Sequence, residues 1–377
     1  MGKKDKKKNK DKDKDKDKDK DKDKDKDKDN SNTHFPFVSV CTPTFNRRPF
    51  IPFMIKCFEN QTYPKDRVEW IIIDDGTDKI EDLVSHVPNV KYFKYDNKLT
   101  LGKKRNLSHE KASGDIIVYM DDDDYYPSDR ISHAVETLQK NPSALCAGSS
   151  EMYIYFKHIS KMYKFGPYGP NHATAASFAF RKELLKQTKF DESACLAEEK
   201  HFLKNYTIPF VQLEPRKSIL VFSHTHNSFD KKQLLNQGVN NPYINETHLI
   251  PGDFIRERDL LMFFLKDIDD LLDKYEPGRP ENKPDVLKQI CEIKIQRENM
   301  MREQNKKQEM STMNINNEMY QKQINDMSVL IQELTIENGC LNDKVNYLEN
   351  KIKQIVSERI AEKVKWKLAT SSSSSTG

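Results

Sequence analysis

The sequence predicts an α/β fold, in which a parallel sheet is covered by helices, followed by a separate helical region. Two observations predict the sheet. Short apolar runs rich in β-branched residues alternate with helical patterns between residues 37 and 139, and polar or acidic residues directly follow several of those runs. A third observation, a heptad repeat of apolar residues near the C-terminus, predicts the helical region.

Length and composition limit the classes of protein that fit. The chain has 377 residues, 36% apolar and 32% charged, with a formal net charge of +4. Basic residues are not interleaved with aromatics in a patch, so we expect no nucleic-acid partner. The six cysteines are scattered, which favours reduced thiols over disulfides. Because no apolar run reaches the ~20 residues of a membrane span and the start is charged, we expect a cytoplasmic protein without a signal peptide or a membrane span.

Composition divides the chain into five segments. Residues 1–34 are rich in Lys and alternating Asp-Lys, which predicts a disordered tail because nothing there can be buried. Residues 35–265 have the mixture of a globular domain, and residues 266–323 are predicted to form a helical linker. Residues 324–366 carry the heptads of a coiled coil, and the Ser-rich residues 367–377 are predicted to be a second disordered tail.

Four strands are predicted in the first half of the globular domain, at residues 38–41, 68–73, 90–93 and 116–120. In parallel sheets, ligands bind at the carboxyl ends of the strands. The polar residues at or just after these ends are Thr44, Asp74, Asp75, Asp121 and Asp123. We therefore expect a binding site at this edge of the sheet.

Four consecutive aspartates, residues 121–124, follow the fourth strand. Their carboxylates repel one another, and a divalent cation relieves the repulsion. Mg²⁺ and Mn²⁺ prefer oxygen ligands, commonly one or two carboxylates together with substrate phosphates. On extended chain Asp121 and Asp123 point the same way and can share one ion. The alternative is an exposed acidic turn that caps the next helix.

Four segments occur in an order and spacing that is specific: VSVCTPTFNR at 38–47, IIDDG at 72–76, GKKRN at 102–106 and GDIIVYMDDDD at 114–124. With these segments, residues 37 to about 230 resemble a family 2 glycosyltransferase with a GT-A fold. The resemblance implies transfer of a sugar from a nucleotide-sugar. The charged tail and the Asn/Lys-rich helical extension also resemble proteins of giant DNA viruses, in composition only.

The resemblance also implies roles for particular residues. Asp75 would contact the base, Asp121 the ribose, and Asp123 a metal ion on the diphosphate. The residues expected around the donor are Thr42, Thr44, Asn46, Arg47, Asp74, Asp75, Lys103, Arg105, Asp121 and Asp122. The residues expected around a Mn²⁺ or Mg²⁺ ion are Asp121, Asp123, Asp124, His224 and His226.

Glu198 and Glu199 are the candidates for the general base that an inverting transfer requires. The family usually has Glu-Asp here, and Glu199 stands where the Asp is expected. The alternative is that both glutamates only favour a helix N-terminus. For His224 and His226, which follow a strand, the choice lies between metal ligands and structural histidines.

A heptad register can be written from Ile324 onward, with β-branched residues at most a positions and mostly leucine at d. The a positions are Ile324, Ile331, Asn338, Val345 and Ile352, and the d positions are Met327, Leu334, Leu341, Leu348 and Ile355. This pattern favours a parallel two-stranded coiled coil, and a single Asn at a fixes its register. The alternative is a lone amphipathic helix folded on the enzyme domain.

The leading hypothesis is a metal-dependent inverting glycosyltransferase, with a UDP-sugar favoured as donor, a protein or glycan hydroxyl as acceptor, and a homodimer formed through the coiled coil. It would lie in the cytoplasm, or in the host cytoplasm or virion if the protein is viral. Two alternatives stay open: a degenerate GT-A module that acts as a scaffold, and a nucleotidyltransferase. The second usually needs a Gly-rich loop after the first strand, and residues 42–47 contain no glycine.

Overall fold

The computed structural model describes residues 35–236 and 241–372, so the predicted tail at 1–34 and the last residues, 373–377, lie outside the described part. The chain forms two compact units, one that ends at Leu287 and one that begins at Lys288. The predicted strands and acidic residues all belong to the first unit.

A seven-stranded sheet forms the centre of the first unit, in the order β3-β2-β1-β4-β8-β5-β9. Strands β3, β2, β1 and β4 are mutually parallel, as predicted, and β8 runs antiparallel to both β4 and β5. The sheet is therefore mixed rather than parallel throughout, because β8 returns to the sheet between β4 and β5. Its strands are β1 (Val38–Thr44), β2 (Val68–Asp74), β3 (Val90–Lys94), β4 (Ile116–Tyr119), β5 (Cys146–Gly148), β8 (Ala179–Arg181) and β9 (Phe210–Gln212).

A second, four-stranded sheet has the order β10-β6-β7-β11. Its strands are β6 (Met152–Phe156), β7 (Lys161–Phe165), β10 (Leu220–Ser223) and β11 (Ile244–Thr247). Strand β10 leads directly into His224, and its Leu220 exchanges backbone hydrogen bonds with Tyr125, the residue after the acidic run. The second sheet thus brings the histidine segment beside the aspartates.

The helices of the described residues are short except for the last. They are α1 (Ile51–Glu59), α2 (Glu81–Val84), α3 (Leu101–Lys111), α4 (Arg130–Lys140), α5 (Glu199–Phe202), α6 (Lys232–Leu235), α7 (Arg258–Met262), α8 (Ile268–Asp273) and α9 (Pro284–Ser372). The Thr100 hydroxyl caps α3 by accepting from the Lys103 N–H over 3.3 Å. No helix of the described residues is long and apolar enough to cross a membrane.

The central strands bury both faces of the sheet, which explains their nearly continuous apolar runs. Along β2, Trp70 and Ile72 belong to one apolar cluster, whereas Ile71 and Ile73 belong to the cluster on the opposite face. Successive side chains of a strand point to opposite faces, so the two clusters cover the sheet on both sides. The core thereby fixes the loops at the carboxyl edge of the sheet.

The globular unit continues to Leu287 rather than ending at the predicted residue 265. Phe263 and Phe264 are buried in the larger apolar cluster, and so are Ile268 and Leu272 on α8. Burial of these four side chains stabilises the segment against the domain, since each fully buried side chain of this size contributes about 1.5–3 kcal/mol. The predicted linker therefore begins inside the folded unit.

The second unit consists of the remainder of α9, a single uninterrupted helix. Helix α9 continues to Ser372, so residues 367–372 are helical and not the disordered tail that was predicted. Lys367, Leu368 and Ala369 are good helix formers, and they extend the helix into the serines. The a and d side chains of the heptads are exposed along this helix, for example 63% at Ile331 and 57% at Leu348.

Candidate active site

The loop after β1 brings a cation to the acidic run. Arg47 Nε lies 3.5 Å from Asp122 Oδ1, and one of its terminal nitrogens lies 3.3 Å from Asp123 Oδ2. The preceding residue, Asn46, has a left-handed backbone with φ of 52°. Its side-chain amide holds that turn by donating to the Pro277 carbonyl over 2.9 Å and accepting from the Asp78 N–H over 3.0 Å.

The acidic run leaves β4 as an irregular turn, so its four carboxylates have different surroundings. Asp121 lies 3.4 Å from the buried Arg105 guanidinium. Burial raises the pKa of Asp122 to about 7, against the opposing effect of Arg47. Burial also disfavours the charge of Asp123, but Arg47 and His224 outweigh it and hold the pKa of that carboxyl well below its usual range. Asp123 is therefore the carboxylate of the run whose pKa is lowered, whereas the pKa values of the other three are raised.

Asp124 is turned away from the other three. Its Oδ1 is buried and has no hydrogen-bond partner in the described part of the chain. Burial, followed by the nearby Asp123 charge, raises the pKa of Asp124 well above its usual range. That Asp124 binds a metal ion stays a prediction.

Asp123 and His224 form a pair that fits a divalent cation. Asp123 Oδ2 and His224 Nε2 lie 3.3 Å apart. Two ligand atoms at right angles, each ~2.1 Å from one ion, lie about 3 Å apart, close to this spacing. Burial lowers the pKa of His224 to about 3, so the imidazole is neutral, the form that binds metals.

Within the described residues, no group of three or more His, Cys, Asp or Glu side chains could hold an ion by itself. That is the usual situation for Mg²⁺ and similar ions, which take the remaining ligands from substrate phosphates and water. His226, predicted as a further ligand, instead packs against Tyr275 at a ring distance of 6.3 Å. Of the residues predicted as ligands, Asp123 and His224 lie together, and His224 Nε2 also contacts the Asn227 amide nitrogen over 2.7 Å.

A cavity of about 160 Å³ opens beside the acidic run. Pro43 and Phe45 supply apolar surface, and Asp121, Asp122 and Asp123 line one side. Four cationic side chains also line the cavity, namely Arg47, Lys98, Lys104 and Lys283. Cations next to carboxylates suit a ligand that carries both negative charge and hydrogen-bond donors.

Arg105 connects the acidic run to the candidate base. It is 2% exposed on α3, and its Nε donates to Glu198 Oε1 over 2.8 Å while its terminal nitrogens face Asp121. Gly102 permits this placement, since a Cβ there would lie 2.0 Å from the Asp191 carbonyl oxygen. Helix α3 can therefore approach the segment before Glu198 closely enough for the ion pair to form.

Glu199 is the more suitable of the two candidate bases. The Glu198 carboxylate is engaged by Arg105, as described above. Burial, followed by the neighbouring Glu198 charge, raises the pKa of Glu199 to about 7. A carboxylate whose pKa lies near neutrality is well suited to accept a proton at physiological pH.

Of the residues predicted to bind the donor, Arg47, Asp121 and Asp122 line the cavity, and Arg105 lies directly behind Asp121. Thr44 contributes its backbone carbonyl, which accepts from Lys104 over 3.3 Å. Asn46 holds the loop together, as described above.

Four of the predicted donor residues have other surroundings. The Thr42 hydroxyl donates to the Met120 carbonyl and accepts from Trp70 Nε1, inside the sheet. Asp74 accepts from the Tyr92 hydroxyl over 2.6 Å, and Asp75 forms an ion pair with Lys104 over 2.8 Å. Lys103 is exposed, whereas its neighbour Lys104 reaches the cavity. Adjacent side chains point to opposite faces of a strand, and on a helix they also point in different directions. This geometry explains these differences.

Three cationic residues that line the cavity were not predicted from the sequence, namely Lys98, Lys104 and Lys283. Lys104 lies within one of the motifs, next to Lys103, but α3 has no apolar stripe that would show which of the two lysines is buried. Lys283 lies far outside the motifs, and nothing around it in the sequence indicates a site.

Comparison with known proteins supports the motifs on which the site was predicted. Residues 39–197 match the family model described as "Glycosyl transferase family 2". The Staphylococcus aureus poly(ribitol-phosphate) beta-N-acetylglucosaminyltransferase TarS is 28% identical over 118 residues, which are 28% of this chain and 19% of TarS. A Campylobacter jejuni GalNAc(5)-diNAcBac-PP-undecaprenol beta-1,3-glucosyltransferase is 32% identical over 111 residues, 28% of this chain and 34% of the relative.

Among solved structures, a Pyrobaculum calidifontis mannosyltransferase in complex with GDP-Man and Mn²⁺ is 17% identical, with a TM-score of 0.42 over 56% of this chain and 67% of that one. The chain spans about a fifth and about a third of the length of the two curated relatives. Both relatives are bacterial, and a viral origin stays a prediction.

The family match and the mixed α/β sheet confirm the predicted α/β class of a GT-A domain. The predicted strand motifs and the acidic run fall within or next to the matched residues. Glu198 and Glu199 directly follow the last matched residue. Residues 39–197, which are less than half of the chain, are therefore similar in sequence to a family 2 glycosyltransferase domain.

Proposed function

We propose that the protein is an inverting glycosyltransferase that moves a sugar from a nucleotide-sugar donor to an acceptor hydroxyl. The observation that carries the proposal is the link from the donor cavity to a half-buried candidate base. Asp121 lines the cavity, Arg105 bridges Asp121 and Glu198, and Glu199 follows Glu198 with its pKa raised to about 7. This connection supports an anion-binding region and a proton acceptor that act on the same donor.

The donor proposed is a nucleoside diphosphate sugar, with UDP favoured. The four cations of the cavity suit a diphosphate, and the aspartates can accept hydrogen bonds from ribose hydroxyls. The names of the two curated relatives, an N-acetylglucosaminyltransferase and a glucosyltransferase, support a sugar as the group transferred. The acceptor is proposed to be a hydroxyl of a glycan or a protein.

A Mn²⁺ or Mg²⁺ ion held by Asp123 and His224 would neutralise charge on the departing diphosphate. The side chains of the protein carry out the proton transfer and stabilise the leaving group. Glu199 takes the proton of the acceptor hydroxyl, and the acceptor oxygen forms a bond to the anomeric carbon. The bond from that carbon to the diphosphate oxygen breaks, and its electron pair leaves with the nucleoside diphosphate. Arg47 and the cavity lysines stabilise that leaving group.

The decisive test is donor hydrolysis or transfer by the purified full-length protein, with a panel of nucleotide-sugars and with Mn²⁺, Mg²⁺ or EDTA. We expect release of a nucleoside diphosphate from one donor, and much less release with EDTA. Release of pyrophosphate from a nucleotide would instead indicate a nucleotidyltransferase. A protein that binds no donor in calorimetry with Mn²⁺ present would be the degenerate scaffold, and the proposal would be wrong.

We also propose that the heptad stripe of α9 pairs with the same stripe of a second copy, in parallel. The a and d side chains are exposed by about half or more, for example 51% at Leu334 and 51% at Val345. An apolar seam of this length in water favours association, since each side chain buried contributes about 1.5–3 kcal/mol. Asn338 at an a position supports a two-stranded state.

A further inference from the structure

Lys283 lies far from the family-matched residues in the sequence, yet it lines the donor cavity. The preceding segment is held against the loop after β1 by two contacts. Asn46 donates to the Pro277 carbonyl over 2.9 Å, and Arg47 donates to the Gly278 carbonyl over 3.4 Å. A Cβ at residue 278 would lie 2.7 Å from the Asn46 carbonyl oxygen, so glycine allows the two segments to meet.

The residues just after Lys283 are held by other residues that line the same cavity. Asp285 forms an ion pair with Lys98 at 2.5 Å and accepts a hydrogen bond from the Cys195 thiol at 3.5 Å. Lys283 is thus held between two anchored points. The fold therefore fixes the position of Lys283 in the cavity, which distinguishes this residue from a lysine on the surface.

The four cations of the cavity differ in how their charge is compensated. Lys98 pairs with Asp285, Lys104 with Asp75, and Arg47 with Asp122 and Asp123. Lys283 is 6% exposed, and its ammonium donates to the Ser228 hydroxyl over 2.8 Å. Among the ion pairs of the described residues, none involves Lys283.

Burial, followed by repulsion from Arg47, lowers the pKa of Lys283 well below its usual range, although Asp122 and Asp123 act in the opposite sense. A buried lysine whose hydrogen-bond partner is a neutral hydroxyl is an unusual arrangement. An ammonium has three N–H donors, and burial of a charge without an opposite charge is costly. The arrangement becomes favourable when an anion enters the cavity and accepts from the remaining donors. Hydrogen bonds between an ammonium and phosphate oxygens are among the strong ones in proteins.

We propose that Lys283 binds the diphosphate of the donor, and that the segment after the family 2 domain thereby completes the donor site. The proposal rests on the proposed function for the identity of the ligand. Lys283 donates to phosphate oxygens of the bound donor, and the same contact stabilises the nucleoside diphosphate as the bond to the sugar breaks. The donor site therefore requires residues up to at least 285.

The test compares ligands that share a base but differ in phosphate. Binding of UDP and uridine, GDP and guanosine, and inorganic pyrophosphate is measured by calorimetry with Mg²⁺ for the full-length wild type, Lys283→Met and Lys283→Arg. Lys274→Met, at an exposed lysine of the same segment, is the matched control. Melting temperature and circular dichroism establish that each variant is folded.

We expect Lys283→Met to weaken binding of the preferred nucleoside diphosphate, and of pyrophosphate, by about ten- to a hundredfold, as for loss of a charged hydrogen bond. Binding of the corresponding nucleoside should be unchanged, Lys283→Arg should recover part of the loss, and Lys274→Met should resemble the wild type. Equal binding of the diphosphate by wild type and Lys283→Met would overturn the inference alone. Equal weakening of nucleoside and diphosphate would also overturn it, since the residue would then support the pocket in general. A wild type that binds none of the diphosphates would overturn the proposed function as well.

Discussion

Arg105 and Glu198 form a buried ion pair in which the guanidinium Nε donates to the Glu198 carboxylate over 2.8 Å. The same guanidinium faces Asp121 at 3.4 Å and lies 4.3 Å above the Tyr119 ring. One side chain therefore joins the end of β4 to the segment that carries the candidate base, and stacks on the sheet between them.

We expect Arg105→Met to destabilise the fold by about 3–5 kcal/mol, because it leaves the buried Glu198 carboxylate and the half-buried Asp121 carboxylate without their cation. Urea denaturation followed by circular dichroism measures the loss. Arg67→Met, at a largely exposed arginine paired with Asp66, serves as control and should lie within about 0.5 kcal/mol of the wild type. A loss below about 1 kcal/mol in Arg105→Met would show that the pair is not structural.

The pH dependence of transfer should report Glu199. The base acts in its ionised form, and its pKa is raised to about 7 by burial. Turnover should therefore rise as the pH increases through about 7, and fall below it as the carboxyl takes up a proton. Glu199→Gln should lower kcat by about 10²–10⁴-fold and remove this acid limb. A Gln variant that keeps the wild-type profile would rule out Glu199 as the base.

Metal dependence should separate two adjacent aspartates. Asp123→Ala should lose the stimulation by Mn²⁺ and at least about a hundredfold of turnover, since even groups that only orient metal ligands contribute about 10–100-fold. Asp124→Asn should stay close to the wild type, because its pKa is raised well above the usual range and the amide resembles the protonated acid. Turnover as a function of Mn²⁺ concentration measures both. The opposite ranking would assign the metal to Asp124.

The oligomeric state should depend on the heptad seam of α9. Leu334→Lys combined with Leu341→Lys places charges at two d positions and should convert a dimer into a monomer in light scattering after size-exclusion chromatography. Val329→Lys combined with Ile336→Lys, at exposed apolar positions on the opposite side of the helix, is the matched control and should remain dimeric. A wild type that is monomeric at high micromolar concentration would contradict the proposed pairing.

The sequence alone was sufficient to predict the features that depend on local residue patterns. The runs that became β1, β2 and β4 were recognisable because both faces of these strands are buried, and the acidic residues at their ends followed from the parallel order. Helix α3 was harder to interpret, because its buried face carries Lys104, Arg105 and Ser108 and no apolar stripe. Without a hydrophobic period, the sequence does not show which of Lys103 and Lys104 is buried.

Other features depend on contacts between distant parts of the chain. Asn46 and Pro277 are 231 residues apart, and no local pattern around either one indicates their contact. The opposite pKa shifts of Asp123 and Asp124 likewise depend on Arg47 and on β10, which lie far from the two aspartates in the sequence. Thr42 was expected at the donor because it lies in a motif, but only the register of β1 against β2 and β4 shows that its hydroxyl is used inside the sheet.

The contact between Asn46 and Pro277 also imposes an order of events on synthesis of the protein. A chain that emerges from the ribosome N-terminus first presents β1 early, but the segment that meets its loop appears only after about 230 further residues. At ~5–20 residues per second, the interval lasts on the order of ten seconds or more. During that interval the nascent sheet lacks one wall of the cavity, so the pocket can form only after the segment around Pro277 and Lys283 has emerged.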